Sequence, residues 1–184
     1  WHGSHKLSNP QQETFIMMRR HGHYFAWDQA VIIGEVTIGE DSSFWPGAVA
    51  RGDVGPITVG ARVSVQDGAV LHCKFQSPLE IGDEVVIGHQ ATVHCRRVGH
   101  GCLIGIGAAV LDDAELGDYC LIAAGAVIRP GTVVPARTLM AGVPAKPIRL
   151  ITEAEFDYQR SVAARYVQLA RDHVAGRFQR HNAG

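Results

Sequence analysis

An apolar residue returns at every sixth position along most of this chain. Val98, Ile104, Val110, Leu116, Ile122, Ile128, Val134 and Met140 form one unbroken series. Ile81, Ile87 and Val93 extend it upstream. Before them come Val59, Val65 and Leu71, and before those Ile32, Ile38, Phe44 and Ala50. A period of six matches neither an amphipathic helix, near 3.6, nor an isolated alternating strand, near two. It matches short extended segments joined by corners, each sending one aliphatic side chain inward. Three such segments make one coil of a triangular prism. Stacked coils merge their inward residues into a continuous core, with backbone hydrogen bonds running from coil to coil. Gly directly follows Val98, Ile104 and Leu116, and glycine and other small residues are expected to permit the turns. The chain's 21 glycines thereby gain a structural cause.

The phase breaks three times. Ala50 to Val59 is nine residues, so three are inserted; Leu71 to Ile81 is ten, so four are inserted; Val93 to Val98 is five, so one is missing. Inserted residues bulge out of a coil, and functional side chains gather at such interruptions.

Past residue 150 the pattern changes. Thr152 and Glu155 have the spacing of a capping box. Phe156, Ala163, Tyr166 and Ala170 then recur at helical intervals. The sequence predicts a helix over Glu153–Val174, its apolar stripe against the prism wall of its own or a neighbouring chain. Phe178–Gly184 is expected to fray. At the other end Trp1–Gln12 is polar and carries Gly3-Ser4-His5, of the kind cloning leaves behind. It is set apart from the fold, with a native start expected near Met17 or Met18. The organisation expected is a terminal segment 1–12, a β-helix domain 13–150 and a helix with tail 151–184.

Composition excludes several classes. Seventeen Lys and Arg against 18 Asp and Glu leave a formal charge of −1, and no basic cluster exceeds Arg19-Arg20 or Arg96-Arg97. A nucleic-acid partner would demand a basic face. No apolar run approaches the roughly 18 residues of a membrane span, and the polar start lacks the apolar centre of a signal peptide. Cys73, Cys95, Cys102 and Cys120 contain no C-x-x-C pair, so reduced thiols in a cytoplasmic protein are expected. The run Gly105-Ile106-Gly107 falls at repeat corners, with no βαβ pattern around it to make a phosphate loop.

The repeat also places polar residues in columns. His72 follows Leu71 and His94 follows Val93. These are 22 residues apart, one coil of 18 plus the four-residue insertion, so both histidines occupy one corner on successive coils. Stacked strands lie about 4.7–4.9 Å apart, and imidazoles at that spacing can converge on one ion. Arg51 follows Ala50 and joins the same column. Asp67 and His89, two residues after Val65 and Ile87, form a second column on the preceding face. One prism can hardly close all three histidines on one ion. Three prisms around a threefold axis can, with His72 and His94 from one chain and His89 from the next.

In order and spacing, Arg51-Gly52-Asp53, Gln66-Asp67, His72, Gly88-His89 and His94 resemble the γ-carbonic anhydrases, from about Tyr24 to about Ile151. That resemblance implies an all-β, left-handed parallel β-helix with a C-terminal helix, assembled as a homotrimer. Ala141-Gly142-Val143-Pro144-Ala145-Lys146-Pro147-Ile148-Arg149 is similar to the segment that ends such helices. The resemblance further implies that His72, His89 and His94 bind Zn2+ across the interface, with Fe2+ or Co2+ suited to the same ligands. Arg51, Asp53 and Asp67 would organise interface and site, and Gln66 would face the metal's solvent ligand. Three imidazoles leave an open fourth position for water, whose pKa zinc lowers to about 7. The resulting hydroxide would convert CO2 to bicarbonate.

Two features depart from the family. The segment Cys73–Glu80 is short, with Glu80 as its only acid and no counterpart to a proton-shuttling glutamate. No residue aligns with the Tyr or Asn that relatives bring from the C-terminal region, although Tyr158 and Tyr166 are available. Proton export would fall to Glu84, His100 or buffer. Cys73 and Cys95 stack behind the histidines, but alternation aims them elsewhere, so inert thiols are expected. Three other functions stay open: metal-dependent thioester hydrolysis, acyl transfer from acyl-CoA, and a non-catalytic role with metal stabilising the trimer.

Overall fold

The computed structural model describes residues 17–178. Trp1–Gln12 and nearly all of the expected frayed tail lie outside them. The described chain is a parallel β-solenoid of about six turns followed by one helix. Every sixfold residue from Phe44 to Met140 is at most 3% exposed. Most are preceded two positions earlier by a second buried residue, often Ala or Cys, such as Ala69, Ala91, Cys102, Ala108 and Cys120. This small-then-large pairing keeps the prism narrow, and the sixfold pattern alone did not reveal it.

The prism has three faces. On the first, Ser43–Phe44, Ser64–Val65, Val86–Ile87, Leu103–Ile104 and Leu121–Ile122 stack in parallel. An antiparallel hairpin, Met18–His21 with Tyr24–Trp27, closes one end, and Thr138–Gly142 with Ala145–Leu150 closes the other. The long strand Val49–Val59, itself paired in parallel with Val31–Ile38, bends across a corner and links the other two faces. Its residues 49–51 pair with Val70–His72, and residues 57–59 pair with Leu79–Ile81. All three phase breaks fall at this corner, between second and third faces. The inserted loop there holds Phe75, 71% exposed.

The glycines after the inward residues act differently from the expectation. Gly117 does not need a left-handed backbone. A Cβ there would lie 2.5 Å from the Ala136 backbone nitrogen of the next coil. Gly is required for close approach, while the left-handed corner positions are filled both by Gly125 and by residues such as Asp113, at φ 57°.

The helix spans Glu153–Val174. Thr152 accepts from the Glu155 amide while Glu155 accepts from the Thr152 amide, the expected reciprocal cap. Gln159, Val162, Ala163 and Ala170 are buried against the chain's own first face. The Gln159 Nε2 donates to the Cys120 carbonyl at 3.0 Å, and Arg171 pairs with Asp41 at 2.8 Å. Among the described residues no helix is long and apolar enough to cross a membrane.

The outward rows of the three faces differ. The helix covers the first. The third carries Thr58, Glu80, Arg97, Glu115 and Val133, a mostly charged row suited to water. The second carries Val31, Val49, Val70, Thr92, Ala109 and Val127, with no charge at all, and the helix does not lie over it.

Candidate metal centre

Strand register sets the first column. Arg51 pairs with His72, and Leu71 pairs with Val93, which brings His94 to the next level. The His94 Nε2 lies 3.0 Å from the His72 Nδ1, and the ring centroids are 5.0 Å apart. Each ring turns its other nitrogen to a carboxylate. The His94 Nδ1 is 2.9 Å from Asp112 Oδ1, and the His72 Nε2 is 3.4 Å from Asp53 Oδ1. Arg51 donates to both oxygens of Asp53, at 2.8 and 2.7 Å. This guanidinium holds the Asp53 carboxyl below the usual carboxylate range, and His72 contributes more weakly.

The second column stands at the other corner. The His89 Nδ1 is 2.9 Å from Asp67 Oδ2. His89 and Gln66 line a groove of about 460 Å³ between the first face and the helix. Leu103 and Val162 make its walls apolar, and Tyr158, Arg165 and Tyr166 come from the helix. Tyr166 packs edge-on against Trp45 at 5.4 Å. Burial, reinforced by Asp67, pushes its phenol pKa upward. Both tyrosines that the sequence could not align thus reach the His89 side of the chain.

Among the described residues no group of three His, Cys, Asp or Glu side chains in one chain is arranged to hold an ion. A single chain offers a facing pair, His72 and His94, and a separate histidine, His89. The four cysteines are free and buried. Cys73 donates to the Gly55 carbonyl and its pKa is raised by burial, and burial pushes the Cys95 thiol up to about 12. Glu84 pairs with Arg62 at 3.0 Å, and the His100 ring accepts from the Asp83 amide. Both sit at the corner between third and first faces, away from the His72–His94 corner of their own chain.

Sequence reasoning missed Asp112. The signal was present: an acid two residues after Val110, at the histidine corner, one coil beyond His94.

Comparison with known proteins adds to this geometry. The family model described as bacterial transferase hexapeptide (six repeats) matches residues 97–130. The chain is 40% identical over 144 residues to a carbonic anhydrase of Geobacillus kaustophilus, covering 78% of this chain and 79% of that one. It is 35% identical over 157 residues to the mitochondrial gamma carbonic anhydrase 2 of Arabidopsis thaliana, covering 82% of this chain. The chain spans 56% of the length of that plant relative. The solved structure of a hexapeptide transferase family protein from Anaplasma phagocytophilum shares the fold, with a TM-score of 0.73 and 36% identity over 80% of this chain and 91% of that one.

Proposed function

Because the chain belongs to the γ-carbonic anhydrase-like family of hexapeptide-repeat proteins, we propose that it is a metal-dependent enzyme interconverting CO2 and bicarbonate. The observation that carries this reading is the facing pair of imidazoles. Each ring has a carboxylate at its far nitrogen, an acceptor that keeps a proton there. The two inner nitrogens face each other across 3.0 Å, a spacing at which both imidazoles can ligate one cation, so the donors fit a metal ion. When bound, the ion supplies Lewis acidity and a water acidic enough to ionise near neutral pH.

His72 and His94 of one chain and His89 of the next would hold the ion. Asp67 fixes His89 through Nδ1, leaving Nε2 free to ligate. Gln66, almost wholly buried beside His89, orients the reacting solvent through its amide. Arg51 and Asp53 keep the His72 side of the site charged and ordered. The left hand and the homotrimer belong to the same reading. The uncharged second face supports the trimer, since a β-branched row left in water would expose a stripe of the kind protein interfaces cover. A cytoplasmic location is also part of the proposal, supported by four free thiols.

The test is stopped-flow CO2 hydration on protein purified without oxygen, with metal content measured on the same sample. Hydration that tracks metal and vanishes in His94→Ala supports the reading. Absence of bound metal overturns it. The apolar groove beside His89 is larger than CO2 requires and favours one second reading, attack on an acyl thioester at the same site. Full metal occupancy without hydration would transfer the assignment to acyl-CoA substrates.

A further inference from the structure

Asp112 and Asp113 are adjacent acids that reach different partners. Asp113 takes a left-handed backbone, φ 57°, and pairs with Lys74 of the inserted loop at 2.7 Å. Asp112 sends Oδ1 to the His94 Nδ1 at 2.9 Å. The register explains how. Val93 pairs with Val110. Asp112, two residues on, therefore stands level with Cys95, and its carboxylate reaches back to the ring.

We propose that Asp112 is a positioning residue of the metal site. It fixes His94 in the tautomer with the proton on Nδ1 and leaves the Nε2 lone pair toward His72. The same contact fixes the ring's orientation, and such outer partners commonly support a ligand's hold on its cation. This inference rests on the metal reading of the preceding section. It goes beyond it by assigning a role to a residue outside the histidine columns, supplied by the coil above.

The experiment measures zinc affinity by competition with a chromophoric chelator, and the visible spectrum of the cobalt-loaded protein. Wild type, Asp112→Ala, Asp112→Asn and Asp113→Ala are compared, with folding checked by circular dichroism. Asp112→Ala should bind zinc about 10–100-fold more weakly. Asp112→Asn preserves shape and an accepting oxygen but loses the charge. It should fall between wild type and alanine, and shift the cobalt bands. Asp113→Ala should lose the Lys74 pair while keeping zinc affinity and cobalt spectrum. Equal affinity in wild type and Asp112→Ala overturns the inference alone, and so does an equal loss in Asp113→Ala. A wild-type protein that binds no zinc overturns the metal reading, and this inference with it.

Discussion

Glu155 is held by Arg149 above all, through two hydrogen bonds of 2.7 and 2.8 Å, and then by the Thr152 amide. These partners lower its pKa from 4.5 to about 2. The sign follows directly. A carboxylate depressed in the folded state contributes stability above its unfolded pKa and loses it as pH falls through the folded value. The melting temperature of wild type should therefore exceed that of Glu155→Gln at neutral pH. The gap should close between about pH 4.5 and pH 2, measured by thermal scans across that range. A gap independent of pH would show that the charge is irrelevant there. At this scale much of the site was legible, because each histidine follows or nearly follows an inward residue and coil arithmetic assigns its corner. Asp112 was missed although its place at the histidine corner could be counted, since a column defined by aligned positions does not select a side chain that reaches back from the next residue pair.

Elements show a division of labour among the glycines. In Gly117→Ala the added carbon would meet backbone of the next coil, which cannot move without breaking the ladder. A cost of about 1–3 kcal/mol is expected, the range for overpacking. Gly125 has open space around it but a φ of 67°. Gly125→Ala should cost about 1–2 kcal/mol, through left-handed strain alone. Denaturant titrations check both, and Gly125→Asn separates the causes, because Asn tolerates that backbone and should restore most of the loss. The helix was legible in full, since its cap and its stripe are local signals. The hairpin Met18–His21 with Tyr24–Trp27 was not, because its strands follow no repeat and are ordered by packing under the helix, where Met18 and Phe25 meet Ala170 and Trp45.

For the whole molecule, the bare second face makes assembly testable. Val70→Lys places a charge in the uncharged row without touching the core. It should shift the proposed trimer to monomer in sedimentation equilibrium and abolish the proposed zinc retention, while the circular dichroism of the prism persists. A trimer that survives this substitution would move the interface to another face. Shared ligation has its own test. His89→Ala and His72→Ala chains should each lack complete sites, yet mixed trimers should regain some, because one chain keeps His72 and His94 while the other keeps His89. Purified mixed trimers with no regained zinc would mean that the ligands come from one chain. The sequence by itself determined the prism, the helix and the two histidine columns. A sixfold inward period leaves a chain few ways to bury its aliphatics, and coil length converts spacing into position. Only the tertiary structure decided that Arg51 turns to Asp53, that Asp112 reaches His94, and that the helix brings Tyr158 and Tyr166 beside His89. Those outcomes depend on side-chain reach and on the docking of one element against another, and no repeat encodes either.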